Sequence, residues 1–128
     1  MVIDYIYRAK EKMLKYLLAF TLMPDHLHLL IIPKDESTIS DIMLFLKKGS
    51  SRVIHIKENT TGHLWAKRFF DRGIRSEKKL IETVEYIHNN PVKAELVKKP
   101  QDYSYSSASP RWETDLERYF DLRYTVLK

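Results

Sequence analysis

The sequence predicts an α+β fold, an antiparallel sheet with helices packed on it. Three observations lead there: two apolar runs meet around a Pro-Asp pair, segments with apolar residues at helical spacing flank them, and 128 residues suit one hydrophobic core. No internal repeat, low-complexity tract or Gly/Ser/Pro-rich linker divides the chain, so residues 1–128 read as a single domain.

From about Ile3 to Tyr16, the apolar residues Ile6, Met13 and Leu14 recur among charges at helical intervals, which predicts a first helix. Leu17–Leu22 and Leu27–Ile32 are two apolar runs around Met23-Pro24-Asp25-His26. Pro24 presets φ at the second position of a turn and Asp25 suits the third, so this stretch predicts a β-hairpin. Thr38-Ile39-Ser40-Asp41 has the form of a capping box and opens a second helix, expected to reach about Lys57 with a bend at Gly49. Between Asn59 and Ile74, the residues Gly62, Trp65, Phe69, Phe70 and Gly73 suggest a loop and a short strand. Ser76 can cap a third helix running from Glu77 towards Asn89, with Leu80, Ile81, Val84 and Ile87 as its apolar stripe and Pro91 as its stop. Residues 102–112 are turn-rich, and Leu116–Phe120 predict a last short helix.

Composition narrows the function classes. The stretch Leu27–Ile32 is interrupted by His28 and ended by Pro33, far too short to span a bilayer, so no membrane partner is expected. The first residues carry Asp4, Arg8, Lys10, Glu11 and Lys12 where a secretory signal would be apolar. Cysteine is absent, which excludes disulfides and makes a cytoplasmic location the default. The net charge of +5 is concentrated between residues 41 and 100, where Lys47, Lys48, Arg52, Lys57, Lys67, Arg68, Arg72, Arg75, Lys78 and Lys79 lie. Such a segment can neutralise phosphates and give salt-sensitive affinity for a polyanion, although the same charges also serve as a solvated surface.

Two short patterns carry chemistry. His26 and His28 stand two apart on a predicted strand, so both imidazoles leave the same face, while Leu27 and Leu29 leave the other. That geometry offers two nitrogens to one divalent ion, and it equally suits two strand histidines satisfied by hydrogen bonds. A histidine-triad hydrolase would need a third alternating histidine where Leu30 stands, and a paired His-x-Thr/Ser phosphoesterase would need a second such motif, which is absent. Near the end of the third helix lies Tyr86-Ile87-His88-Asn89-Asn90. On a helical wheel Tyr86 falls roughly 150° from the centre of the apolar stripe and Asn90 about 40° from Tyr86, whereas His88 lies near the stripe and reads as structural. A phenol and an amide one turn apart could face a metal-held phosphate together, or be a surface aromatic and a helix-ending residue before Pro91. His55, His63 and Asp71 are lesser candidates, the last as a histidine-orienting acceptor or a salt-bridge partner of Arg68 or Arg72.

Met23-Pro24-Asp25-His26-Leu27-His28-Leu29-Leu30, then Leu64-Trp65 to Phe70-Asp71, then Tyr86-Ile87-His88-Asn89-Asn90-Pro91-Val92-Lys93-Ala94, in that order, resemble the REP-associated tyrosine transposases, single-tyrosine HUH nucleases. Tyr103-Ser104-Tyr105-Ser106-Ser107 looks like an aromatic-Ser-Ser segment of the same family, so the resemblance covers about residues 10–110. It implies a ferredoxin-like sheet in which His26, His28 and Asn90 hold Mg²⁺ or Mn²⁺ and Tyr86 is the nucleophile. The implied reaction cuts hairpin-containing single-stranded DNA through a 5′-phosphotyrosine and rejoins it by the reverse step, with Lys47, Lys48, Arg52, Lys67, Arg68, Arg72 and Arg75 tracking phosphates and Trp65 stacking on bases. The family pattern normally opens with a strand before the first helix, and this chain opens almost directly with the helix. One strand of the sheet is therefore expected to be lacking, to be supplied by dimerisation or else to leave a hairpin-binding module that no longer cuts.

Overall fold

The computed structural model of the chain describes residues 2–24, 26–49 and 77–121. Its elements are α1 (Val2–Met13), β1 (Leu14–Met23), β2 (His26–Pro33), α2 (Ile39–Gly49), α3 (Glu77–Lys93), a 3₁₀ turn (Pro100–Asp102) and α4 (Leu116–Phe120). The predicted short strand between residues 59 and 74 and the continuation of α2 to Lys57 lie outside the described residues.

β1 and β2 form an antiparallel hairpin with helices on both faces, so the α+β architecture is as the sequence predicts. Alternation along β2 divides its side chains between two cores. Leu27, Leu29 and Ile31 join Leu14, Leu17 and Phe20 against Val2, Ile3, Ile6 and Ala9 of α1 and Ile42 and Leu46 of α2. Leu30 points the other way and packs with Leu18 and Ala19 against Leu80, Val84 and Ile87 of α3 and Tyr119 of α4. Each such buried aliphatic side chain contributes about 1.5–3 kcal/mol of transfer free energy, and these contacts hold the helices to the hairpin.

The hairpin is longer than the sequence suggests. The first helix ends at Met13 rather than Tyr16, because Leu14 is already paired with Pro33 and buried in the first core. At the other end Met23 pairs with His26, so Pro24 and Asp25 alone separate the strands, as the predicted tight turn requires. His26 is therefore a strand residue, which fixes its side chain on the same face as that of His28. Register shifts between Leu14 and Tyr16 and between Leu17 and Ala19 break the alternation of β1 lower down the hairpin.

At α2 the predicted cap is present, Thr38 Oγ1 accepting the Asp41 N–H at 3.1 Å. The third helix differs in two respects. Ile81 is 43% exposed, and Thr83 occupies the buried stripe with Leu80, Val84 and Ile87, its hydroxyl donating to the Lys79 carbonyl at 2.8 Å. Nor does Pro91 stop the helix, which runs through it to Lys93. A proline lacks the N–H that would bond the carbonyl four residues back, here Ile87 O, and a side chain of β1 supplies that bond instead, as described below. The helix ends with Leu96 N–H donating to Pro91 O and Glu95 N–H to Val92 O, both at 2.9 Å, which is a Schellman closure with Glu95 at φ 62°.

The turn-rich segment after the 3₁₀ turn does more than connect. Leu22 N–H donates to Tyr105 O and Ser107 N–H to Phe20 O, both at 2.9 Å, laying residues 105–107 along the edge of β1 away from β2. Farther down that edge Asp115 accepts from Leu17 N–H at 2.9 Å and gives its own N–H to Leu17 O at 2.8 Å. Trp112 stacks on Tyr7, whose hydroxyl donates to Glu113 O at 2.5 Å. Burial, reinforced by the Asp115 and Glu113 carboxylates, pushes the Tyr7 pKa up to about 12.

Candidate active site

The upper end of the hairpin, next to the turn, turns polar on the face that α3 covers. Opposite His28 in the ladder stands Thr21, and opposite His26 stands Met23. His28 is 2% exposed, while His26 nearer the turn is half-buried. Their Nε2 atoms approach to 2.8 Å and their rings lie 4.5 Å apart at 82°. The pairing follows from the strand: residues two apart share a face, and the short hairpin keeps both inside the ladder.

From the facing helix the Tyr86 ring meets the His28 ring edge-on, with centroids 6.0 Å apart and planes at 89°. Tyr86 is 42% exposed, off the buried stripe as its wheel position predicts, with its ring braced on His28. Asn90 follows one turn later, its Nδ2 reaching back to Tyr86 O at 3.4 Å, which leaves Oδ1 as the atom it can offer outward. The structure thus brings His26, His28 and Tyr86 into one cluster, with Asn90 on the adjoining turn.

Whether these residues suit a cation depends on the donor set. Two Nε2 atoms converging to 2.8 Å either share one proton or direct both lone pairs at a common ion, and neutral imidazoles bind divalent ions well. Among the described residues no group of three or more His, Cys, Asp or Glu is placed to hold a metal ion, and the Asn90 amide is an oxygen donor on the adjoining turn. The donors fit a divalent ion that keeps several positions for water or phosphate oxygen.

His88 is structural, as its wheel position predicts. Its Nε2 shares a 2.7 Å hydrogen bond with Ser107 Oγ, and burial pushes its pKa down to about 4. Among the predicted DNA-contacting residues, Lys47 and Lys48 fall in the last turn of α2 with their side chains outside the described part. Arg52, Trp65, Lys67, Arg68, Arg72 and Arg75 also lie outside the described residues, as do His55, His63 and Asp71. Reading the sequence missed Thr21, which is wholly buried beside this cluster; the signal was the proline inside α3, which leaves a carbonyl in need of a donor.

The scaffold and the cluster define a small α+β domain with a strand-borne histidine pair set against a helix-borne tyrosine. Residues 1–90 match the family described as "Transposase IS200 like", and the chain belongs to that family. It is 30% identical over 99 residues to a protein of Haemophilus influenzae named as a REP-associated tyrosine transposase, a match covering 70% of this chain and 56% of that protein. A REP-associated tyrosine transposase of Escherichia coli K12 is 29% identical over 90 residues, covering 70% of this chain and 52% of the relative. The chain thus spans about half the length of these relatives. No solved structure matches it significantly. Among the described residues no helix is long and apolar enough to cross a membrane.

Proposed function

We propose that this protein is a metal-dependent endonuclease and strand transferase of hairpin-containing single-stranded DNA, with Tyr86 as nucleophile and His26, His28 and Asn90 as metal ligands. The observation that carries the reading is the convergence of the two Nε2 atoms at 2.8 Å with the Tyr86 ring braced on His28. A bound Mg²⁺ or Mn²⁺ would withdraw charge from a phosphodiester oxygen. Tyr86 Oη attacks the phosphorus, the bond from phosphorus to the 3′-oxygen breaks, and the phenolic proton ends on the released 3′-hydroxyl. One phosphodiester is exchanged for another, so no ATP is needed, and attack by a second 3′-hydroxyl on the 5′-phosphotyrosine reverses the step and joins strands. His28, buried and paired with His26, serves this chemistry by holding the ligand atoms and the phenol in a fixed relation. The basic residues of the middle segment track the phosphates, Trp65 stacks on an unpaired base, and the reaction takes place in the cytoplasm. β2 has β1 as its one described neighbour, and a second copy of the chain pairing along its other edge would extend the sheet into a homodimer.

The test incubates the purified protein with a labelled library of single-stranded hairpins and Mg²⁺ or Mn²⁺, and looks for a denaturant-resistant protein–DNA adduct. The expected result is an adduct that requires the metal and disappears in Tyr86→Phe while hairpin binding persists. A folded protein that binds hairpins in a salt-sensitive manner and forms no adduct overturns the nuclease reading in favour of a non-cutting binding module.

A further inference from the structure

Tyr86 sits on a helix and His28 on a strand, so their juxtaposition depends on what fixes α3 against the sheet. The apolar contacts of Leu80, Val84 and Ile87 hold the helix down, but such contacts have no direction and tolerate sliding and rotation. A directional tie exists one residue from Tyr86. Pro91 has no N–H for the Ile87 carbonyl, and Thr21 Oγ1 reaches that carbonyl at 3.0 Å. Thr21 stands directly opposite His28 in the ladder, so the strand position that faces the buried histidine is also the one that grips the helix.

The tie is reinforced from the third segment. Ser106 Oγ lies 2.9 Å from Thr21 Oγ1, and both residues are wholly buried. A carbonyl only accepts, so the single Thr21 hydroxyl proton goes to Ile87 O, and the Ser106 hydroxyl donates to the Thr21 oxygen. Ser106 Oγ in turn accepts the Ala108 N–H at 3.1 Å. The result is one directed chain from Ala108 N–H through Ser106 and Thr21 to Ile87 O, with every proton committed. A second tie runs beside it: Ser107 Oγ accepts Phe20 N–H at 2.9 Å and shares its bond with His88, so α3 is tied to β1 at both residues that follow Tyr86.

We infer that Thr21, backed by Ser106, is a positioning residue that sets the register of the Tyr86 helix against the histidine strand, an inference that rests on Tyr86 being the nucleophile. Pro91 supplies the free carbonyl, Thr21 fills it, and the aromatic-Ser-Ser segment orients Thr21. Displacing a reacting group by about 1 Å can cost on the order of 100-fold in rate.

The experiment compares Thr21→Val, which keeps the shape and removes the hydroxyl, with Thr21→Ser, which keeps the hydroxyl. One readout is single-turnover adduct formation at saturating DNA, alongside the hairpin Kd. The other is the magnetisation transfer between the His28 and Tyr86 rings by NMR in the metal-free, DNA-free protein. For Thr21→Val we expect a 10- to 100-fold slower adduct, a Kd changed by less than about 3-fold and a weakened ring-to-ring signal, with Thr21→Ser restoring both rate and signal. An unchanged rate overturns the inference whatever the ring signal does, and so does a loss of DNA affinity equal to the loss of rate, which marks a general structural role. If Thr21→Val does not fold, Ser106→Ala decides by the same two readouts. If the wild type forms no adduct, the nuclease reading fails, and the ring signal alone still decides whether Thr21 holds the helix in register.

Discussion

The two faces of the hairpin are built from the same strands to different ends. On the α1 and α2 face every residue that β2 contributes, Leu27, Leu29 and Ile31, is an aliphatic side chain no more than 3% exposed. On the α3 face Leu30 and the partly buried Ile32 are the apolar residues, and the two positions nearer the turn are His28 and His26. The first face is held chiefly by non-directional contacts, with hydrogen bonds such as Tyr7 to Glu113 O and Lys34 to Glu11 O at its margin. The second is held by apolar contacts at its lower end and by a hydrogen-bonded chain at its upper end, where polar atoms must keep fixed places. Alternation within a single strand thus lets one surface supply stability and the other supply geometry, with little chemistry shared between them.

That division can be broken most forcefully at Tyr86. Tyr86→Phe removes only the phenolic oxygen of a partly exposed residue on the α3 face, so adduct formation should fall by at least about 10³-fold, as when other enzymes lose their nucleophile. Stability should move by no more than about 0.5 kcal/mol in a urea titration, because the residue lies outside both cores. The opposite pattern is expected of Leu29→Ala. It empties a fully buried site on the α1 face and should cost about 2–5 kcal/mol of unfolding free energy, while the adduct rate per folded molecule stays within about 3-fold of wild type. A rate that collapses with Leu29→Ala under conditions where the protein is folded would show that the two faces are coupled. His26→Ala sharpens the comparison within the site: the divalent-ion affinity should fall at least about 100-fold by titration calorimetry, since even partners behind the ligands are worth 10–100-fold. An unchanged titration would remove His26 from the metal set.

What could be read in advance followed the same division. The apolar runs, the alternation that puts His26 and His28 on one face, the Thr38 cap and the off-stripe place of Tyr86 are all local, set by period and by neighbours in the chain, and the structure agrees with them. The departures came from tertiary bonding. Pro91 is a helix stop only if the Ile87 carbonyl would otherwise go unmet, and its donor lies 66 residues away in sequence. Thr83 and not Ile81 completes the buried stripe because its hydroxyl is satisfied by the Lys79 carbonyl and adds no unmet polar group to the core. The strap of residues 105–107 is an irregular segment without period, and only the free edge of β1 gives it an extended role.

The smallest expected effect lies where α3 ends. Glu95 holds φ at 62°, a left-handed conformation that costs a residue with a Cβ on the order of 1 kcal/mol and costs glycine almost nothing. The Schellman closure demands that conformation: Glu95 N–H must reach Val92 O while Leu96 N–H reaches Pro91 O. Glu95→Gly should therefore stabilise the fold by about 0.5–1 kcal/mol, the gain being trimmed by glycine's larger freedom in the unfolded chain. Because α3 is registered by Thr21 at Ile87 and by Ser107 at His88, upstream of its end, the substitution should leave the adduct rate unchanged. A slower adduct in a more stable protein would mean that the helix is aligned from its C-terminal end, moving the source of the site's geometry from the hydrogen-bonded chain on β1 to the closure at Glu95.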